Sequence, residues 1–231
     1  MERRGSSSRW AVMLGAFALG LITLFATTAA AQQERTTAAA GTGVETQSRA
    51  KATKTKNFNN NGQIAINDSF TPPTVATPYP STIKVGGFKK GKIKDVNVTL
   101  KGFGHQFSDD ADVLLVSPKG QNAVVMSDVG GNNLVGNATL KLDDESPSLL
   151  PDATADGAPV SGTFKPANYV DFGADVFPAP APAPGGGSAL SIFDGKNPKG
   201  AWKLFVTDDA GGGTGQFAGG WSLQIKAKVR R

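Results

Sequence analysis

From Gln63 onward the chain is written in short apolar runs: "TIKV", "IKDVNVTLKGF", "DVLLVS", "NAVVMS", "ATLKL", "WKLFVTD" and "WSLQIKAKV". Several alternate apolar with polar. Ile93, Val96, Val98 and Leu100 stand against Lys94, Asp95, Asn97 and Thr99, with one slip of phase near Asp95. Period-two alternation in runs rich in β-branched and aromatic residues predicts strands with one buried face. Turn formers separate the runs, as in "GGFKKG", "SPKGQN", "DVGGNN", "DGKNPKG" and "DDAGGGTG". No stretch keeps an apolar stripe at helical spacing for three turns. The pattern predicts an all-β domain of roughly 165 residues, a sandwich or jelly roll. A domain of that size buries roughly 70% of the surface of its unfolded chain, so its core suffices without staples. Trp202 and Trp221 fall inside strands and are expected to anchor that core. The connection "FPAPAPAPGGGSALSIF" interrupts the pattern. Prolines at every second position make it a stiff extended arm, expected to cross between sheets.

The N-terminal part has a different texture. Arg3, Arg4 and Arg9 precede an apolar run from Trp10 to Ala26, and Ala29-Ala30-Ala31 offers a small-x-small cleavage site before Gln32. Residues 1–31 therefore read as a secretory signal peptide, with the product secreted or held at the cell envelope and no membrane insertion after cleavage. The run is 17 residues against the about 20 of a spanning helix, which keeps an uncleaved anchor as the alternative. Residues 32–62 contain Val44 and Phe58 as their only large apolar side chains. They cannot offset their ordering entropy by burial and are expected to form a disordered tether. The domain proper is expected over 63–231.

Charge changes the picture only by its location. The net +5 divides into +2 in residues 1–31, +3 in 32–62, and a balance of 16 basic against 16 acidic side chains in 63–231. A folded nucleic-acid binder carries its excess on the folded face, so nucleic acid is not an expected partner. The absence of cysteine excludes disulfides, thiolate zinc sites and cysteine nucleophiles.

Two blocks resemble a known family. The first is "GKIKDVNVTLKGFGHQFSDDADVLLVSPKGQNAVVMS" and the second "FDGKNPKGAWKLFVTDDAGGGTGQFAGGWSLQI". In the first, Val96, Val98, Leu100, His105, Phe107, Asp112 and the turn Ser117-Pro118-Lys119-Gly120 match the pattern of the P domain, or Homo B domain, of kexin- and furin-like proprotein convertases. In the second, Phe193, Gly195, Asn197, Pro198, Gly200, Trp202, Leu204, Val206, Gly215, Leu223 and Ile225 match the block that follows. The blocks occur in the family's order, about 80 residues apart, and the likeness covers nearly all of 63–229. Two residues are added between Phe107 and Asp112, Ala111 replaces the family's usual glycine, and the proline arm looks more like free-standing bacterial versions. The resemblance implies a jelly-roll β-sandwich of the galactose-binding-like type. It also implies a domain that packs against a subtilisin-like protease and stabilises it without catalytic residues of its own.

The chemistry available agrees with a non-enzyme. His105 is the single histidine, and no subtilisin signature or Gly-x-Ser-x-Gly elbow accompanies it. Asp110 and Asp112 stand too close in an extended segment to flank a sugar as glycosidase carboxylates. Oxygen-rich loops suit calcium better. Asp109, Asp110 and Asp112 lie in one loop, while Asp128 in "SDVGGNN" and Asp208-Asp209 in "TDDAGGG" lie at other strand ends beside glycines. These six are the candidate calcium ligands; ordinary turn capping by aspartate is the alternative reading. The expected function is a secreted, non-catalytic domain that binds or stabilises a protein partner, with calcium assistance left open beside plain turn capping by the aspartates. The alternatives are a role in proteolysis beside a separate subtilisin-like serine endopeptidase, and adhesion to cell-wall glycans.

Overall fold

The computed structural model describes residues 51–152, 156–170, 173–185 and 187–230; the expected signal peptide, 1–31, lies outside them. Two mixed sheets make up the fold. The first joins β1 (Lys51–Asn60), β13 (Trp221–Arg230), β5 (Lys92–His105), β12 (Gly215–Phe217) and β2 (Ile64–Ile66) in that order. β8 (Val135–Leu142) pairs with β5 and with β9 (Gly162–Phe164). The second joins β10 (Ala167–Asn168), β7 (Asn122–Ser127), β6 (Ala111–Val116), β11 (Gly200–Asp208) and β3 (Thr74–Val75), with β4 (Ser81–Val85) also on β11. Short 3-10 turns at Ser108–Asp110 and Leu190–Phe193 are the helical pieces among the described residues. No helix there is long and apolar enough to cross a membrane.

The alternation along β5 does what the pattern predicts. Ile93, Val96, Val98 and Leu100 are buried in the core between the sheets. The phase slip is a β-bulge: Lys226 faces Asp95 while the adjacent Ala227 faces Ile93, so Lys94 is the extra residue. Trp202 and Trp221 are fully buried, and their indole N–H groups donate to the Pro198 carbonyl and the Ser81 hydroxyl, each at 2.9 Å. Burial of each ring therefore leaves no unpaired indole donor.

Two expectations need correction. The tether does not reach residue 62, because Lys51–Asn60 is an edge strand paired with β13 from Lys51↔Arg230 to Asn60↔Trp221. Backbone pairing and one anchor compensate for its polar sequence. Phe58 packs against Phe88, ring centroids 6.1 Å apart, and the Asn60 amide donates to Ser81 Oγ and the Thr82 carbonyl. The proline arm, for its part, lies over the outer face of the second sheet. Phe177 joins Leu114, Val116, Val124 and Phe205 in a second apolar cluster, and Tyr79 Oη donates to the Pro178 carbonyl at 2.9 Å. β6 is consequently covered on both faces, which accounts for the apolar run at 113–116.

Strand directions gather one set of loops at one end. β5 ends at His105 opposite Gly215 and Val135. β11 ends at Asp208 opposite Ala111 and Thr74, and Ser127 closes β7 beside Asn168.

Candidate metal centre

At that end the second sheet carries a row of oxygen-bearing side chains. Thr207 faces Asp112 across β11 and β6, and Ser127 faces Asn168 across β7 and β10. Val113 pairs with Met126, which sets Asp112 beside Ser127. Val113, Met126, Ala167 and Val206 point into the main core, so by strand alternation the row Thr207, Asp112, Ser127, Asn168 faces the other side. It is nevertheless buried: Asp112, Ser127 and Thr207 are all 0% exposed. Both carboxylate oxygens of Asp112, the Thr207 hydroxyl and the Asn168 carbonyl oxygen are inaccessible and meet no donor. Buried polar atoms nearly always find a partner, so several orphaned oxygens in one row call for an explanation.

Two further carboxylates close over the row. Asp128 follows β7 with φ 52°, in the left-handed region, and Asp175 comes from the segment leading into the proline arm. Oxygens of Asp112, Asp128 and Asp175 lie within 4.8 Å of one another. The Ser127 hydroxyl reaches Asp128 Oδ2 at 3.0 Å and Asp175 Oδ1 at 2.8 Å; its single proton serves only one of them at a time. Burial pushes the Asp112 carboxyl well above its ordinary range, and the charges of Asp175, Asp209 and Asp128 push the same way, with Ser127 opposing. Asp175 is also raised by burial.

The second acidic group faces the gap between the sheets and contains the histidine. His105 Nε2 lies 3.1 Å from Asp208 Oδ2, and Nδ1 contacts the Phe107 backbone. Burial lowers the His105 pKa, but the Asp208 bond and charge, the Phe107 carbonyl and Asp110 outweigh it, and the net shift is upward. The ring fits because residue 215 is glycine: a Cβ there would stand 2.1 Å from the imidazole and 2.5 Å from the Gly104 carbonyl oxygen. Asp110 completes this group. Its pKa rises to about 7 through burial and the charges of Asp109 and Asp208, against the opposing effect of His105. Asp209 joins neither group but couples them electrostatically, raised to about 6 by burial and then by Asp175, Asp208 and Asp109.

The six aspartates expected from the sequence are thus divided. Asp112 and Asp128 stand together with Asp175; Asp110 and Asp208 stand with His105; Asp109 and Asp209 act through their charge. Asp175, Thr207 and Asn168 escaped the sequence reading because no local motif marks them; strand register brings Thr207 and Asn168 to Asp112, and the loop after β10 brings Asp175. All donors around Asp112 are oxygens, the set that suits a hard cation. No family model and no curated protein matches the sequence.

Proposed function

We propose that this protein is a secreted, non-catalytic jelly-roll module of the P-domain type that holds calcium at one end and engages a protein partner there. The observation that carries the calcium reading is Asp112, fully buried with neither oxygen paired. An ionised carboxylate in that position costs several kcal/mol unless a cation answers it. Asp112, Asp128 and Asp175 supply three carboxylates, and Thr207 and Asn168 add neutral oxygens on the same row. Calcium accepts six to eight such ligands in irregular geometry, whereas magnesium demands an octahedron and keeps its waters. The buried, uneven set favours calcium.

Support for a non-catalytic role comes from His105. Both ring nitrogens are engaged, one by Asp208 and one by the Phe107 backbone, and that leaves the imidazole as a brace between β5 and β11. Support for docking at the acidic end comes from its loops, where Phe70 is 98%, Leu134 69% and Val176 57% exposed. The P-domain resemblance suggests a subtilisin-like protease as the partner. Affinity capture of the protein from culture medium, in calcium and in chelator, tests the reading. A subtilisin-like protease retained only in calcium supports it; a catch without such a protease, or the same catch in chelator, contradicts it.

A further inference from the structure

Charge is segregated along the strands. Opposite the acidic end, the outward side of the first sheet is basic. Lys51 faces Arg230 across β1 and β13, and Lys228 faces Lys92 across β13 and β5; all four are exposed. Lys226 follows on the same side of β13, and the β5 bulge brings Lys94 to this surface as well. Asp95, opposite Lys226, marks the edge of the array: burial and then the charges of Asp143 and Asp194 raise its pKa, so acids stand beside Lys226 and the basic face runs from there toward Arg230. Like charges placed directly opposite on neighbouring strands destabilise a sheet. Two such pairs side by side are repulsion that a bound anion relieves.

Toward the middle of the same face a row of amides continues the array. Asn57, Gln224 and Asn97 stand in register across β1, β13 and β5. Gln224 Nε2 donates to Asn57 Oδ1 at 3.1 Å. Asn97 is only 5% exposed, and its Oδ1 meets no donor. From Ser222 to Arg230 the outward side of β13 is polar throughout, with no aromatic platform of the kind a neutral sugar stacks on.

We propose that this face binds an acidic glycan, a polysaccharide with repeating carboxylate or sulfate groups. Strand spacing of about 4.8 Å and an outward repeat of about 6.7 Å lay the cations out as a lattice. A lattice suits a polymer of repeating anions better than a single anion. The amide row selects among polyanions: a glycan brings hydroxyls to pair with the accessible Asn57 and Gln224 amides, next to the charges that meet the lysines, while Asn97 lies beneath them out of its reach. This site is independent of calcium and of the acidic end.

The test is calorimetric binding of a heparin-derived decasaccharide to the purified protein, with dextran of similar size as the neutral probe. Binding of the decasaccharide alone is expected, weakening steeply with salt as counterions are released from the polyanion, and equal in calcium and in chelator. A K92Q/K228Q/R230Q variant with an unchanged melting temperature should bind at least tenfold more weakly. Q224A should lose a few-fold, and the loss should persist at high salt. K84Q, altered away from this face, should bind as the parent does. Undiminished binding by the folded triple variant overturns the assignment. So does binding that requires calcium, which would move the ligand to the acidic end. Retention on phosphatidylglycerol vesicles that the decasaccharide does not displace would assign the face to a membrane instead.

Discussion

The two ends of this sandwich-like domain carry opposite charge, and they carry it in opposite ways. Around Asp112 the carboxylates are close together, Asp112 and Asp128 buried and Asp175 half-buried, and burial raises the pKa of Asp112 and Asp175. Around Lys228 the ammonium groups stand in solvent, where water and salt screen their repulsion at little cost. Exposed charge can wait for a partner. Buried charge of one sign must be answered within the folded domain, by a proton or by a cation. The acidic end is therefore where solution conditions should control stability, and the basic end is where they should control only binding.

That difference can be broken or sharpened by experiment. The largest effect is expected from metal removal. A ligand bound only to the native state adds about 2.7 kcal/mol at a hundredfold excess over Kd, worth roughly 5–11 °C in melting temperature for a domain of this size. Chelation should lower the melting temperature by that order, and D112N should abolish the difference. Equal melting in calcium and chelator would leave the cluster as turn chemistry.

A smaller effect concerns pH. In chelator, Asp110 and Asp209 keep their protons up to about 7 and about 6, against an ordinary 3.8. The folded state then holds more protons than the unfolded chain between about pH 4 and 7, and stability falls as pH rises through that window. His105 acts in the same direction. Its pKa is raised from 6.5, so its contribution is complete below 6.5 and is lost as pH rises through the folded value. At the proposed ion site itself Asp112 and Asp175 are shifted in the same direction, each chiefly by burial; calcium replaces their protons, so the calcium-induced rise in melting temperature should grow from pH 5 to pH 8. A rise that shrinks over that range would contradict the placement of the ion among these carboxylates.

The smallest effects belong to the basic end. K228E would turn the Lys92 pair into an opposite-charge pair and should stabilise by about 0.2–1 kcal/mol, and K94Q should stay within about 0.5 kcal/mol of the parent. Melting curves of both variants check this. A loss above about 2 kcal/mol in either would mean that these lysines are structural.

Much of the fold was legible from periodicity. The β5 slip at Asp95 is the bulge, whereas β6, expected to bury one face, buries both over 113–116 because the proline arm covers its outer side. β1 was not legible, because "KATKTKNFNN" has a single large apolar residue and is held by backbone pairing to β13, a long-range fact with no local signature. The candidate site was legible by half. Aspartates at strand ends stand out, and Asp112 and Asp128 do meet. The neutral oxygens of Thr207 and Asn168 belong to the site only through register, and Asp175 only through the path of the loop that leads into the proline-rich arm.

The central claim, that Asp112 and its neighbours hold calcium, is tested most directly by titrating calcium into chelator-treated protein by calorimetry, beside D112N and D175N. Saturable binding that D112N eliminates and D175N weakens at least tenfold is the predicted result. No heat of binding in the parent protein, or the same isotherm in D112N, would contradict it.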